Sequence, residues 1–228
     1  MADPPSKNQR SGDVARFLQK QRAISRFVQR NPRLIFAIDA TASRQPTWDM
    51  ACHLQGEMFS ATAPIAELSV QLCFYRGFRD FQASDWLNDT ATLRRLMTRV
   101  ACEAGQTQLQ RVLRHGLKEH AGVAVRALVF IGDAVEEPVE GLLELAGQCG
   151  LRRLPLFLFQ EGSNPTVEQT LKQMATLSGG AHCRFDHSSA RTLQELLGAV
   201  ARFAAGGRRA LQDDRSGGAR LLLSQIKN

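Results

Sequence analysis

Four short, largely apolar runs punctuate the chain: 34–38 (LIFAI), 68–74 (LSVQLCF), 127–131 (ALVFI) and 154–159 (LPLFLF). The run 34–38, continuously apolar and of strand length, suits a central strand of a parallel sheet covered on both faces, and the others read as further strands. A shorter strand is expected near 182–185. Between these runs the apolar spacing lengthens to three and four. Met50, Leu54 and Met58 follow a helix start near Pro46, and Leu93, Leu96, Met97 and Val100 mark a helix over 89–101. Further helices are expected from Thr107 and over 139–149, 165–178 and 190–204. Segment 77–84 (GFRDFQAS) reads as a short edge strand or a loop. Strand and helix alternate, so the expected class is α/β: a Rossmann-like open, mostly parallel sheet flanked by helices.

The chain has 228 residues, 43% of them hydrophobic, which suits one α/β domain with a sizeable core. Three regions are distinguished. Residues 1–33 form a basic N-terminal extension, 34–205 the domain, and 206–228 a basic C-terminal tail. Within the extension, Val14, Phe17, Leu18, Ile24, Phe27 and Val28 approximate one helix face, with Arg16, Lys20, Arg22 and Arg26 on the other. Docking on its own domain is the simplest role for that helix; a partner or an acidic surface is the alternative. In the tail, 221–228 (LLLSQIKN) suggests a short helix returning to the body.

Charge sharpens this division. The net charge is +7, but 1–33 alone carries eight basic and two acidic side chains, and 206–228 five and two. The body, with 16 basic and 18 acidic residues, is nearly neutral. A nucleic-acid-binding domain would concentrate basic residues on its folded surface, so nucleic acid is a poor match. No apolar run approaches a membrane span, and the first residues lack a secretory pattern, so a cytoplasmic protein is expected. The five cysteines (52, 73, 102, 149 and 183) are scattered and odd in number. They read as buried or half-buried thiols rather than disulfides or zinc ligands.

In an open parallel sheet, ligands bind beyond the carboxyl ends of strands. Asp39 follows 34–38 and Asp133 follows 127–131, so both carboxylates fall on that rim. Thr41 and Ser43 stand at the next alternate positions after Asp39, and Thr107 opens a helix. Two carboxylates and three hydroxyls are hard oxygen donors, suited to Mg²⁺ or Mn²⁺ and not to zinc. Two negative charges balance a divalent cation, while the hydroxyls add only dipoles. A cation so held gains from an acidic oxygen supplied by another molecule. Taken singly, Ser43 and Thr107 are as well explained as helix caps; as part of five converging groups they read as ligands.

Asp39-Ala40-Thr41-Ala42-Ser43, with Thr107 and Asp133, resembles the metal-ion-dependent adhesion site of von Willebrand factor A domains. That pattern is Asp-x-Ser/Thr-x-Ser after the first strand, a Thr before a later helix and an Asp after the fourth strand. The resemblance covers roughly 33–205 and is closest to small stand-alone bacterial members, in which segments like FYRGF and GGAHCRFD recur. It implies the Rossmann-like fold and metal-dependent protein–protein recognition, in which a partner's Asp or Glu completes the metal shell. By analogy that partner is an AAA+ ATPase or another multiprotein machine. Departures are Ala42 and Ala134, where Gly is common, and Gln106 in place of a second Gly before Thr107.

Arg76 and Arg79, in the aromatic-flanked turn after 68–74, are candidates for contacting an acidic partner; a salt-bridged turn is the plainer reading. Glu136-Glu137 reads as a charge pair at a helix N-terminus. The histidines read as surface or half-buried side chains, since His115 and His120 are five apart and do not share a helix face. A haloacid-dehalogenase-like phosphotransfer enzyme also places an Asp after its first strand, but needs an acid two residues on, where this chain has Thr41. Nucleic-acid or acidic-surface binding through the basic termini is the other alternative. No dinucleotide fingerprint follows the first strand, where the sequence is DATASRQ.

Overall fold

The computed structural model describes residues 31–186 and 190–226; the proposed helix within 11–28, and His187, lie outside the described residues. Six strands form one sheet: β1 Arg33–Asp39, β2 Ser69–Arg76, β3 Asp80–Ala83, β4 Val125–Gly132, β5 Leu156–Glu161 and β6 Ala181–Phe185. Their order is β3-β2-β1-β4-β5-β6, parallel throughout except for the antiparallel β2–β3 hairpin. Of the two readings of segment 77–84, the short edge strand is the one formed. It follows a turn at Gly77 with φ of +56°, a conformation that other residues adopt only at a cost.

Eight helices flank the sheet among the described residues: α1 Gln45–Leu54, α2 Gly56–Thr62, α3 Thr90–Met97, α4 Leu109–Gly122, α5 Val139–Leu151, α6 Pro165–Ser178, α7 Ala190–Gln212 and α8 Gly217–Leu223. Alternate residues of each central strand enter separate cores. Leu34, Phe36 and Ile38 of β1 meet α1–α3, α7 and α8, whereas Ile35 and Ala37 meet α4–α6. All five of these β1 side chains are buried, which is why the strand reads as continuously apolar.

Local chemistry sets the helix ends. Asp89 caps α3, its carboxylate accepting from the Thr92 amide at 2.7 Å, and Asn164 caps α6 through the Thr166 and Val167 amides. Gly179 ends α6 in the left-handed conformation, φ +74°. The helix expected over 190–204 runs on to Gln212 through a kink at Gly207, φ +69°. Residues beyond it are built into the body: Leu211, Ala219, Leu222 and Ile226 belong to the larger core. A helix does return, as Gly217–Leu223, with Ser216 capping it through the Ala219 amide.

Candidate metal centre

Strand order reverses between β2 and β4, on either side of β1, so the crevice of this sheet lies above the carboxyl ends of β1 and β4. Parallel pairing sets Ile38 against Ile131. Asp39 and Asp133 therefore emerge on adjacent strands at that crevice. Asp39, Thr41, Ser43, Thr107 and Asp133 all line one cavity of about 260 Å³, with Glu136 beside them. Residues from three separate stretches of chain thus share one focus.

Each side chain is held differently. Asp39 is buried, and its Oδ1 accepts from the Thr41 amide at 2.8 Å, a tight turn that carries the chain away from the strand. Its Oδ2 is buried beside the Tyr75 hydroxyl, which makes only a weak contact with the carboxylate. Burial raises the Asp39 pKa above the usual carboxylate range. Hydrogen bonds from Thr41 and, more weakly, from Tyr75 oppose that rise, and the nearby Asp133 charge adds to it. A buried carboxylate oxygen with so weak a donor is costly unless something positive meets it. Ser43 is exposed, and the Asp133 side chain keeps 29% of its surface, so the cavity opens to solvent.

Thr107 is positioned by a reciprocal pair. Its amide donates to Glu136 Oε2 at 2.8 Å, and its Oγ1 accepts from the Glu136 amide at 3.0 Å. Glu137 then takes the next free amides, of Leu109 and Gln110, each at 2.8 Å. The Glu136-Glu137 pair does serve a helix N-terminus. That helix is α4, across the crevice, rather than α5, which follows it in sequence. Thr107 lies just ahead of α4, which begins at Leu109. Gly105 packs against the β2–β3 turn so closely that a methyl group there would sit 1.9 Å from the Gly77 carbonyl oxygen.

One participant was not anticipated from the sequence. Arg44, only 8% exposed, sends its guanidinium beneath the rim. It donates to Asp133 Oδ2 at 3.0 Å, to Glu161 at the end of β5, and to Ser43 Oγ at 3.3 Å. Thr47 of α1 also donates to Glu161. A buried Arg next to a candidate ligand pair is invisible to a motif read as Asp-x-Thr-x-Ser. The available signal was Glu161, an acid closing a strand that is buried along its whole length.

Arg76 and Arg79 occupy the β2–β3 turn. Arg76 is paired with Asp80 at 2.8 Å and Glu103 at 2.9 Å and donates to the Ala101 carbonyl. Arg79 is exposed, next to Phe78, which is 75% exposed at the tip. Neither arginine lines the cavity, but Gly105, which does, is packed on Gly77 of this turn.

The donor set fits a hard divalent cation. It offers two carboxylates, one with a buried and weakly satisfied oxygen, and hydroxyls around a solvent-open cavity. Among the described residues no group of three or more His, Cys, Asp and Glu side chains converges as a metal cluster. A cation at this crevice would therefore depend on the hydroxyl oxygens, as Mg²⁺ or Mn²⁺ can.

No protein-family model and no curated protein sequence matches the chain. Solved structures do. A von Willebrand factor type A protein from Catenulispora acidiphila superposes with a TM-score of 0.62 at 15% identity, over 77% of this chain and 43% of that one. An aerotolerance-related membrane protein from Bacteroides fragilis matches with a TM-score of 0.56 at 16% identity, covering 72% and 96%. The SpRpn10 VWA domain matches with 0.55 at 11% identity, covering 71% and 94%. The chain thus has a von Willebrand factor A-type fold and spans less than half the length of the Catenulispora protein. Among the described residues, no helix is long and apolar enough to cross a membrane.

Proposed function

We propose that this protein is a non-catalytic interaction module that holds Mg²⁺ or Mn²⁺ and uses it to grip an acidic side chain of a partner protein. Asp39 and Asp133 would neutralise the ion, and Thr41, Ser43 and Thr107 would add uncharged oxygens. The bound ion supplies Lewis acidity toward an incoming carboxylate. The chain's own residues orient the site: the Thr41 amide fixes Asp39, the Glu136 pair fixes Thr107, and the open rim at Ser43 admits the partner.

The observation that carries this reading is the convergence of the five oxygen-bearing side chains on one cavity. The buried Oδ2 of Asp39, met only weakly by the Tyr75 hydroxyl, supports it. The cysteines suit a binding site better than a reactive one. Burial raises all five thiols, Cys102 to about 11 and Cys149 to about 12 among them, so none is an activated nucleophile.

Calorimetric titration with Mg²⁺ and Mn²⁺ tests the metal step. The wild type should bind one ion, and Asp39→Ala and Asp133→Ala should each weaken binding at least tenfold. Equal, weak binding by all three proteins would remove the site. Affinity capture with and without chelator, with Asp39→Ala as control, tests the partner step: a protein retained by the wild type should be lost in both controls.

A further inference from the structure

We propose that Arg44 is a built-in rival of the metal: by holding Asp133 with a fixed positive charge, it weakens the site for divalent cations. This rests on the metal-binding reading above and adds a determinant of how tightly that site closes on its ion.

The geometry is specific. Arg44 ends the single 3₁₀ turn Ala42–Arg44 that carries Ser43, so its place in the chain is tied to a candidate ligand. From there the guanidinium reaches three acceptors: Asp133 Oδ2, Ser43 Oγ and Glu161. Two of the three belong to the candidate metal shell. Arg44 is nearly buried, and Glu161 is 4% exposed, so water screens this charge poorly. Arginine is a permanently charged side chain, so its positive charge competes with any metal that arrives.

Two consequences pull in opposite directions. Holding Asp133 in one rotamer pre-organises a ligand, which favours metal binding. Placing a positive charge one carboxylate away from a divalent ion, and sharing that carboxylate, opposes it. Freezing one short side chain changes affinity only a few-fold. Solvent at the partly exposed Asp133 screens the repulsion between a monovalent and a divalent cation sharing that carboxylate, but at contact distance it is still the larger effect. Charge therefore wins, and the net role of Arg44 is to weaken the site. Glu161 explains why the arginine stays: it is an acid buried at the end of β5 for which Arg44 is the charged partner, and Thr47 supplies an uncharged second donor.

Titration of Mg²⁺ and Mn²⁺ into wild type and Arg44→Met tests this, with metal-induced thermal shifts as a second readout. The variant is expected to bind at least tenfold more tightly and to gain more melting temperature at a given metal concentration. Removing Arg44 takes a charged partner from the buried Glu161 and could prevent folding. The double variant Arg44→Met/Glu161→Gln removes both charges, and severalfold tighter binding is expected from it. Unchanged or weaker affinity in a folded variant, with the wild type binding normally, overturns the role of Arg44 and leaves the metal site standing. Binding by the variants but not by the wild type supports it. No binding by any of the three overturns the metal reading and this inference with it.

Discussion

Asp39 spends its two oxygens unequally: one closes a turn on the Thr41 amide, and the other is buried with only a weak contact to the Tyr75 hydroxyl. A residue kept in so costly a setting is a hallmark of a site built for something other than stability. Replacing it with Asn keeps the acceptor for Thr41, removes a buried charge and offers an amide toward Tyr75. Asp39→Asn should therefore stabilise the chelator-treated protein by about 1 kcal/mol in urea denaturation while abolishing metal binding. A loss of stability would show that the carboxylate is held by the fold itself. His182 offers a second measurement. It is buried beside Gln160 Oε1, 3.0 Å away, and burial lowers its pKa from 6.5 to about 4. The folded chain thus disfavours the protonated ring. The stability it contributes is complete above pH 6.5 and is lost as pH falls toward 4. The urea midpoint should decline over that interval, and His182→Gln should flatten the decline.

At the scale of elements, the strands and helices were legible because both faces of the sheet are covered. Continuous apolar runs mark β1 and β4, and the helix over 165–178 has the expected limits, with Asn164 and Gly179 as its start and stop signals. The single long helix read from Pro46 onward is instead α1 and α2, separated at Gln55. Continuous apolar spacing at Met50, Leu54 and Met58 gives no sign of that break, because all three face the same core. The site was legible where it follows strands and less so where it depends on cross-chain capping. Glu136 and Glu137 look like residues of the following helix but secure α4 instead, and no local pattern distinguishes the two. Glu137→Ala should accordingly cost about 1–2 kcal/mol in denaturation, and Glu136→Ala should weaken metal binding through Thr107. Gly105→Ala should be more disruptive. Its methyl group would collide with backbone of the β2–β3 turn, not with a flexible side chain, so a melting temperature within a degree of wild type would contradict the packing described.

Across the whole molecule, the end of the chain was legible only in part. Residues 206–228 read as a tail with a short returning helix, but Ala219, Leu222 and Ile226 go further and fill the core beside α7. The depth of that packing is hidden because the helix has only seven residues, too short to show a period. Gln225 adds a function that composition cannot reveal. Its Oε1 accepts from the His182 amide at 2.9 Å and its Nε2 donates to the His182 carbonyl at 2.8 Å, so one side chain occupies the exposed edge of β6 as a neighbouring strand would. Removing residues 216–228 should therefore lower the melting temperature and cause concentration-dependent association on size-exclusion chromatography with light scattering. A monomer of unaltered stability would contradict this role.

The central claim is that one cation sits where β1, β4 and the start of α4 meet. Anomalous diffraction from crystals grown with Mn²⁺ measures that directly. The account expects a single manganese peak within the cavity lined by Asp39, Thr41, Ser43, Thr107 and Asp133. A manganese peak elsewhere with this cavity empty, or no peak at saturating Mn²⁺, would contradict it.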